Sequence, residues 1–148
     1  MGAICPLAAH LRKMQPRDST TDIGSGCDTL KRRIVRRGIQ YGAPIADVGV
    51  EDGVDRGLMF ICYQASIDAQ FEFLVTQWAN SDVNPNNGGG HDMIIGQSDA
   101  RNRERRFDVK LRDGSVKQMK TMDEWVIPTG GGYFFVPSIS ALKNVIAR

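Results

Sequence analysis

Side chains able to do acid–base or metal chemistry are few in this chain. Only two histidines occur: His10, in an apolar stretch followed by Arg12 and Lys13, and His91, beside Asp92 in a glycine-rich segment. A protein-held zinc ion needs ligands at short, regular spacing, and neither histidine has cysteine or glutamate partners so placed. Taken one at a time, each reads first as a structural histidine. Cys5, Cys27 and Cys62 are an odd count at wide intervals, which fits neither a disulfide framework nor a zinc pattern. Cations are more abundant and unevenly placed, with eight Lys or Arg against three Asp in residues 10–37 and eight against three acidic residues in 101–120. Two basic segments around a more acidic middle suit either an anion site or a solvated surface. A Gly-x-x-Asp-Gly pattern, from Gly49 through Asp52 to Gly53, is inexpensive in a Gly- and Asp-rich stretch and reads as a turn.

One core must position these groups. A chain of 148 residues, 41% hydrophobic and 24% charged with a net charge of +2, predicts a single globular domain. It has no run of about 18 apolar residues and no basic start with a long apolar middle, so neither a membrane span nor a secretory signal is expected. Residues 1–30 are punctuated by Pro6, Pro16, Gly24 and Gly26 and read as a long loop, leaving 31–148 as the folded domain. Ile34 and Val35 among arginines, ended by Gly38, predict a short strand, and the apolar run 58–63 predicts a central strand buried on both faces. Ser66 is placed to cap a helix in which Ile67, Phe71, Leu74, Val75 and Trp78 share a face through Asn80. Residues 81–100 are a loop whose composition leaves few ways to pack. Phe107, Val109 and Leu111 alternate with charged residues up to a turn at Asp113 and Gly114, and Val116 begins the return strand. A further apolar strand is expected at 133–136. Pro137 and Ser138 then open a helix with Ile139, Leu142, Val145 and Ile146 on one face. The order strand, strand, helix, hairpin, strand, helix predicts an α+β fold with helices packed on one face of a sheet.

Taken together, the segments resemble a known family. Cys5-Pro6-Leu7-Ala8-Ala9-His10-Leu11-Arg12-Lys13-Met14-Gln15-Pro16-Arg17 closely resembles the proximal-histidine segment of dye-decolorising (DyP-type) haem peroxidases. Arg36-Arg37-Gly38-Ile39-Gln40-Tyr41-Gly42 looks like the family's distal-arginine segment, and residues 55–64 look like the strand that follows it. Phe71-Glu72-Phe73, Trp78-Ala79-Asn80, Asp92-Met93-Ile94-Ile95-Gly96-Gln97 and Gly131-Gly132-Tyr133-Phe134-Phe135-Val136-Pro137-Ser138 fall in the family's order, so the matches span nearly the whole chain. The resemblance implies a ferredoxin-like antiparallel sheet with helices on one face, one half of a duplicated ferredoxin-like fold. It implies haem b (iron protoporphyrin IX) as cofactor, hydrogen peroxide as oxidant, and dyes, phenols or similar aromatic reductants as electron donors.

Roles for residues follow from the same resemblance. His10 is implied as the axial ligand of the haem iron, with Asp92 as the acceptor that orients its ring. Arg36 is implied as the distal arginine, whose fixed guanidinium would stabilise charge on the departing peroxide oxygen, while Arg37 in a strand should face the other way. Leu58 and Phe60 would wall the distal pocket, and Arg12 would hold a haem propionate. Tyr41 and Trp78 stand where the family often keeps oxidisable aromatics for electron transfer at the surface, although Trp78 lies on the helix's apolar stripe and reads more readily as core.

The family carries a proton-handling Asp in a Gly-x-x-Asp-Gly motif well upstream of the proximal histidine, and this chain begins nine residues before His10. On that reading catalysis draws on a separate N-terminal half or a homo-oligomer. The alternatives are a haem-binding fragment without activity, or a basic ferredoxin-like module that touches nucleic acid. Against the last, the apolar runs around Phe60 and Phe134 read as buried, so no aromatic platform beside basic residues can be picked out.

Overall fold

The computed structural model of the chain describes residues 4–86, 89–97 and 104–147. Two short helices stand where residues 1–30 read as loop: α1, His10–Met14, and α2, Gly26–Leu30. Each is too short to show a helical repeat. Only α2 carries a local start signal: Asp28 Oδ2 accepts from the Ser25 backbone N–H and hydroxyl, both at 2.9 Å.

Four strands follow: β1, Val35–Arg36; β2, Ile39–Tyr41; β3, Gly57–Met59; and β4, Cys62–Tyr63. β1 pairs with β4 and β2 with β3, all antiparallel. Both pairs keep one register. Arg36 faces Cys62, the Arg37 N–H donates to the Ile61 carbonyl at 2.8 Å, and Ile39 faces Met59. They are two stretches of a single ribbon closed by loop 42–56. Cross-strand partners share a face, which places Arg36, Gly38, Gln40, Leu58, Phe60 and Cys62 on one side and Arg37 on the other. Gly38 has no side chain because Leu58 lies over it: a Cβ there would sit 2.9 Å from Leu58 Cδ1.

The expected central strand buried on both faces does not form. β3 and β4 are each paired on one edge only, and Leu58 and Phe60 are 55% and 45% exposed. Residues 133–136, also expected as a strand, form none, and Phe134 and Phe135 are 86% and 88% exposed. A continuous apolar run signals that a segment is suited to burial on both sides, but it does not say what buries it.

The long helix forms as two segments, Ile67–Glu72 and Leu74–Ala79, joined through Phe73, and Ser66 Oγ accepts from the Ala69 N–H at 3.2 Å. The hairpin of β5, Arg105–Lys110, and β6, Val116–Thr121, turns where Gly114 takes φ 87° and Asp113 Oδ1 accepts from the Ser115 N–H. The last helix, Ile139–Ala141 continued by Leu142–Ile146, is capped by Ser138, and its apolar face is exposed. The fold is α+β as expected, and among the described residues the antiparallel ladders are the two stretches of the ribbon and the β5–β6 hairpin. No helix among the described residues is long and apolar enough to cross a membrane.

The core sits where α1, the long helix and loop 81–97 meet, and its buried apolar side chains are Ala8, Leu74, Trp78 and Ala79. Trp78 is 1% exposed and packs edge-on against Phe73, with ring centroids 5.3 Å apart. Its indole N–H donates to Asp22 Oδ1 at 3.0 Å. The Asp22 N–H donates to the Pro85 carbonyl at 3.1 Å and the Asn86 amide donates to the Thr20 carbonyl at 2.8 Å. These bonds hold the irregular N-terminal segment down. Trp78→Ala should cost about 3–5 kcal/mol in chemical denaturation, and Trp78→Phe less, because a six-membered ring still fills part of the space although the fused ring and the bond to Asp22 are lost.

Candidate functional site

α1 and loop 81–97 bring His10 and Asp92 together across 82 residues of sequence. His10 Nδ1 lies 2.8 Å from Asp92 Oδ2, with the imidazole 24% exposed and the carboxylate fully buried. Asp92 Oδ1 accepts from the backbone N–H groups of Ile94 and Ile95 at 2.9 and 3.0 Å. The carboxylate thus accepts three hydrogen bonds, and its oxygens call for the proton on Nδ1. In the neutral ring that leaves the lone pair on Nε2, which has no partner among the described residues.

Loop 81–97 packs closely, contrary to its expected looseness. Gly89, Gly90, His91, Asp92 and Gly96 are buried. The glycines allow it: a Cβ on Gly96 would overlap the Asp92 carbonyl, and Gly90, at φ 89°, lies against the β5 backbone. Its carbonyls are collected by two buried cations. Lys13 Nζ donates to the carbonyls of Ser81 at 2.9 Å, Gly90 at 2.7 Å and Asn84. Arg105 donates to those of Met93 and Gly96, at 3.3 and 2.7 Å, and to that of Asp123. Asn87, Gly88 and residues 98–103 lie outside the described residues.

Burial brings the Lys13 ammonium from 10.5 down to about 8, against the opposing pull of Asp92, Asp82 and Asp22. The folded value is the lower one, so between about pH 8 and 10.5 the unfolded chain holds more protons, and Lys13 makes stability rise with pH. Urea midpoints measured across that window should rise less in Lys13→Met than in the parent chain.

The ribbon gathers a second group. Arg36, Leu58 and Phe60 share one face, and the Arg36 guanidinium is exposed with no partner among the described residues. No strand of the ribbon packs against α1. Phe60 approaches Phe71 of the long helix, ring centroids 6.1 Å apart. Arg12 donates to Asp18 Oδ2 at 3.1 Å, while its buried Nε has no partner among the described residues. Tyr41 is exposed and folds over Gly57. Trp78, considered for surface electron transfer, is not at the surface. The long helix turns it inward, because its indole fills the core beside Phe73.

Asp52 of the Gly-x-x-Asp-Gly pattern lies in an exposed turn, and Arg56 clasps both its carboxylate oxygens at 2.7 and 2.6 Å. Lys13 and Arg105 escaped notice as members of basic segments. No local signal separates a buried lysine from a solvated one, because its partners are carbonyls about 70 residues away in the chain.

The family profile "Dyp-type peroxidase, C-terminal" matches residues 4–87. The chain belongs to the DyP-type peroxidase family. It is similar to the dye-decolorizing peroxidase of Exidia glandulosa, 34% identical over 97% of this chain and 28% of that protein. Among solved structures, a variant of the dye-decolorizing peroxidase from Pleurotus ostreatus superposes with a TM-score of 0.76 at 35% identity, covering 95% of this chain and 32% of that one. A dye-decolorizing peroxidase solved with 2,6-dimethoxyphenol gives 0.75 at 37% identity, covering 97% and 32%. The chain therefore spans about 30% of the length of these relatives and corresponds to the C-terminal portion of a DyP-type peroxidase, with its ferredoxin-like α+β fold.

Proposed function

We propose that this chain forms the proximal-histidine side of a haem peroxidase that uses hydrogen peroxide to oxidise dyes, phenols or similar organic donors. The observation that carries the reading is the His10–Asp92 pair, an imidazole committed through Nδ1 to a buried carboxylate with Nε2 left open. A ring so oriented is a strong donor and suits one axial position of a haem iron. Haem b, when bound, supplies the redox steps between peroxide and donor.

The chain's own residues do the rest. His10 Nε2 would hold the iron, with Asp92 fixing the ring and raising its donation. The orphaned Nε of Arg12 is available to a propionate, which a guanidinium binds bidentately. Arg36, with no carboxylate partner among the described residues, would stabilise negative charge developing on peroxide, and Leu58 and Phe60 on the same face would supply an apolar wall to that pocket. Tyr41 offers an exposed phenol for electron entry. Asp52, already clasped by Arg56, is not poised to move the peroxide proton. The exposed apolar side chains of the ribbon, residues 133–136 and the last helix would receive an N-terminal half or a second copy.

Titration of the full chain with hemin tests this reading. A saturable, histidine-ligated Soret spectrum is expected, with dye bleaching on addition of peroxide. A spectrum identical to that of hemin in buffer would overturn it.

A further inference from the structure

Lys13 follows His10 by three residues, one turn along the same short helix. Its side chain is 1% exposed, and its three N–H bonds meet three carbonyls, those of Ser81, Asn84 and Gly90. A lysine buried this far costs several kcal/mol unless acceptors meet its N–H groups, and three carbonyls do so here. All three carbonyls belong to the loop that presents Asp92, and Gly90 lies two residues before it. α1 therefore grips this loop twice, through the side-chain pair of His10 with Asp92 and through the ammonium of Lys13. On the far side of Asp92, Arg105 holds the carbonyls of Met93 and Gly96 from β5. Without Lys13, the N-terminal arm of the loop would lose the donor for the buried Gly90 carbonyl and for the half-buried carbonyls of Ser81 and Asn84.

We infer that Lys13 is the positioning residue of the His10–Asp92 pair: by spanning three carbonyls of loop 81–90, it fixes Asp92 at hydrogen-bond distance from His10 Nδ1 and so sets the electron donation of Nε2. The geometric half of this inference needs no haem. The half concerning donation rests on the reading of His10 as the haem ligand.

The test uses the full chain, first haem-free and labelled with nitrogen-15. Imidazole nitrogen shifts report which tautomer His10 adopts. The parent chain should show Nδ1 protonated, held so by Asp92. Lys13→Met, similarly unbranched but one atom shorter and without donors, should return His10 toward the Nε2-protonated form of a free imidazole, well below the melting midpoint and with the β5–β6 amide signals unchanged. Should Lys13→Met fail to fold, Lys13→Gln, which keeps two donors, should give an intermediate tautomer ratio. After hemin loading, the Fe(III)/Fe(II) potential should shift positive in Lys13→Met and in Asp92→Asn. The double variant should shift no further than Asp92→Asn alone, because both changes act through one hydrogen bond. A lowered melting midpoint with tautomer and potential unmoved would overturn the inference and leave Lys13 as a stabilising residue only. Additive shifts in the double variant would overturn its action through Asp92. If hemin does not bind at His10, the tautomer measurement still decides the geometric half.

Discussion

Replacing His10 by Ala should abolish the histidine-ligated Soret band and weaken hemin binding by a hundredfold or more, the largest effect expected of any single substitution. Loss of an outer-shell partner alone typically costs about 10–100-fold in affinity, and here the ligand itself is removed. The change leaves the buried Asp92 carboxylate with its two backbone donors, Ile94 and Ile95, and a gap where the ring stood. Added imidazole should therefore enter, donate to Asp92 and restore the spectrum in part. Surface histidine ligation would respond differently: the band would persist in His10→Ala, and His10 would lose its assignment. Asp92→Asn should keep the band while altering the ligand-sensitive features of the spectrum, because an amide can still touch Nδ1 but carries no charge to strengthen donation.

Arg36→Ala should slow the reaction of the haem-loaded chain with hydrogen peroxide by about 10²–10³-fold, the usual cost of removing one fixed group that stabilises a developing anion. No carboxylate among the described residues offsets the Arg36 charge, and Arg36 shares its face of the ribbon with Leu58 and Phe60. Arg37 is the internal control. It lies on the opposite face of the ribbon and its guanidinium donates to the Arg36 carbonyl at 3.0 Å, so Arg37→Ala should change the rate little. Stopped-flow spectra after peroxide mixing would separate the two. Undiminished rates in Arg36→Ala would remove it from the reaction.

Different parts of this molecule were legible in the sequence to different degrees, and the reasons are physical. The long helix announced itself through the spacing of Phe71, Leu74 and Trp78 and through the Ser66 cap. The β5–β6 hairpin did so through alternation around Asp113 and Gly114. Both depend on neighbours in the chain. The short helices α1 and α2 were invisible to periodicity because five residues make barely more than one turn. The apolar run at 58–63 was over-read as a central strand. Its side chains are half exposed, since hydrophobicity states a preference for burial and says nothing of where the covering surface comes from. Basic residues were read as segments of charge. In the fold they part company: Lys13 and Arg105 are buried, Arg106 pairs with Asp82 at 3.0 Å, and Arg32 lies 4.1 Å from the centre of the Phe73 ring.

The candidate site divides the same way. His10, Arg36, Leu58 and Phe60 were named through the family resemblance of their segments, and strand parity separated Arg36 from Arg37, because adjacent strand residues point to opposite faces. Asp92 could be named only by resemblance. Its partnership with His10 arises when loop 81–97 folds onto α1, and that depends on glycines that let backbone approach backbone and on cations that solvate the loop's carbonyls. The contacts of His10 with Asp92 and of Lys13 with its carbonyls join residues 68 to 82 positions apart, so they leave no local trace in composition or periodicity and emerge only when the chain is packed.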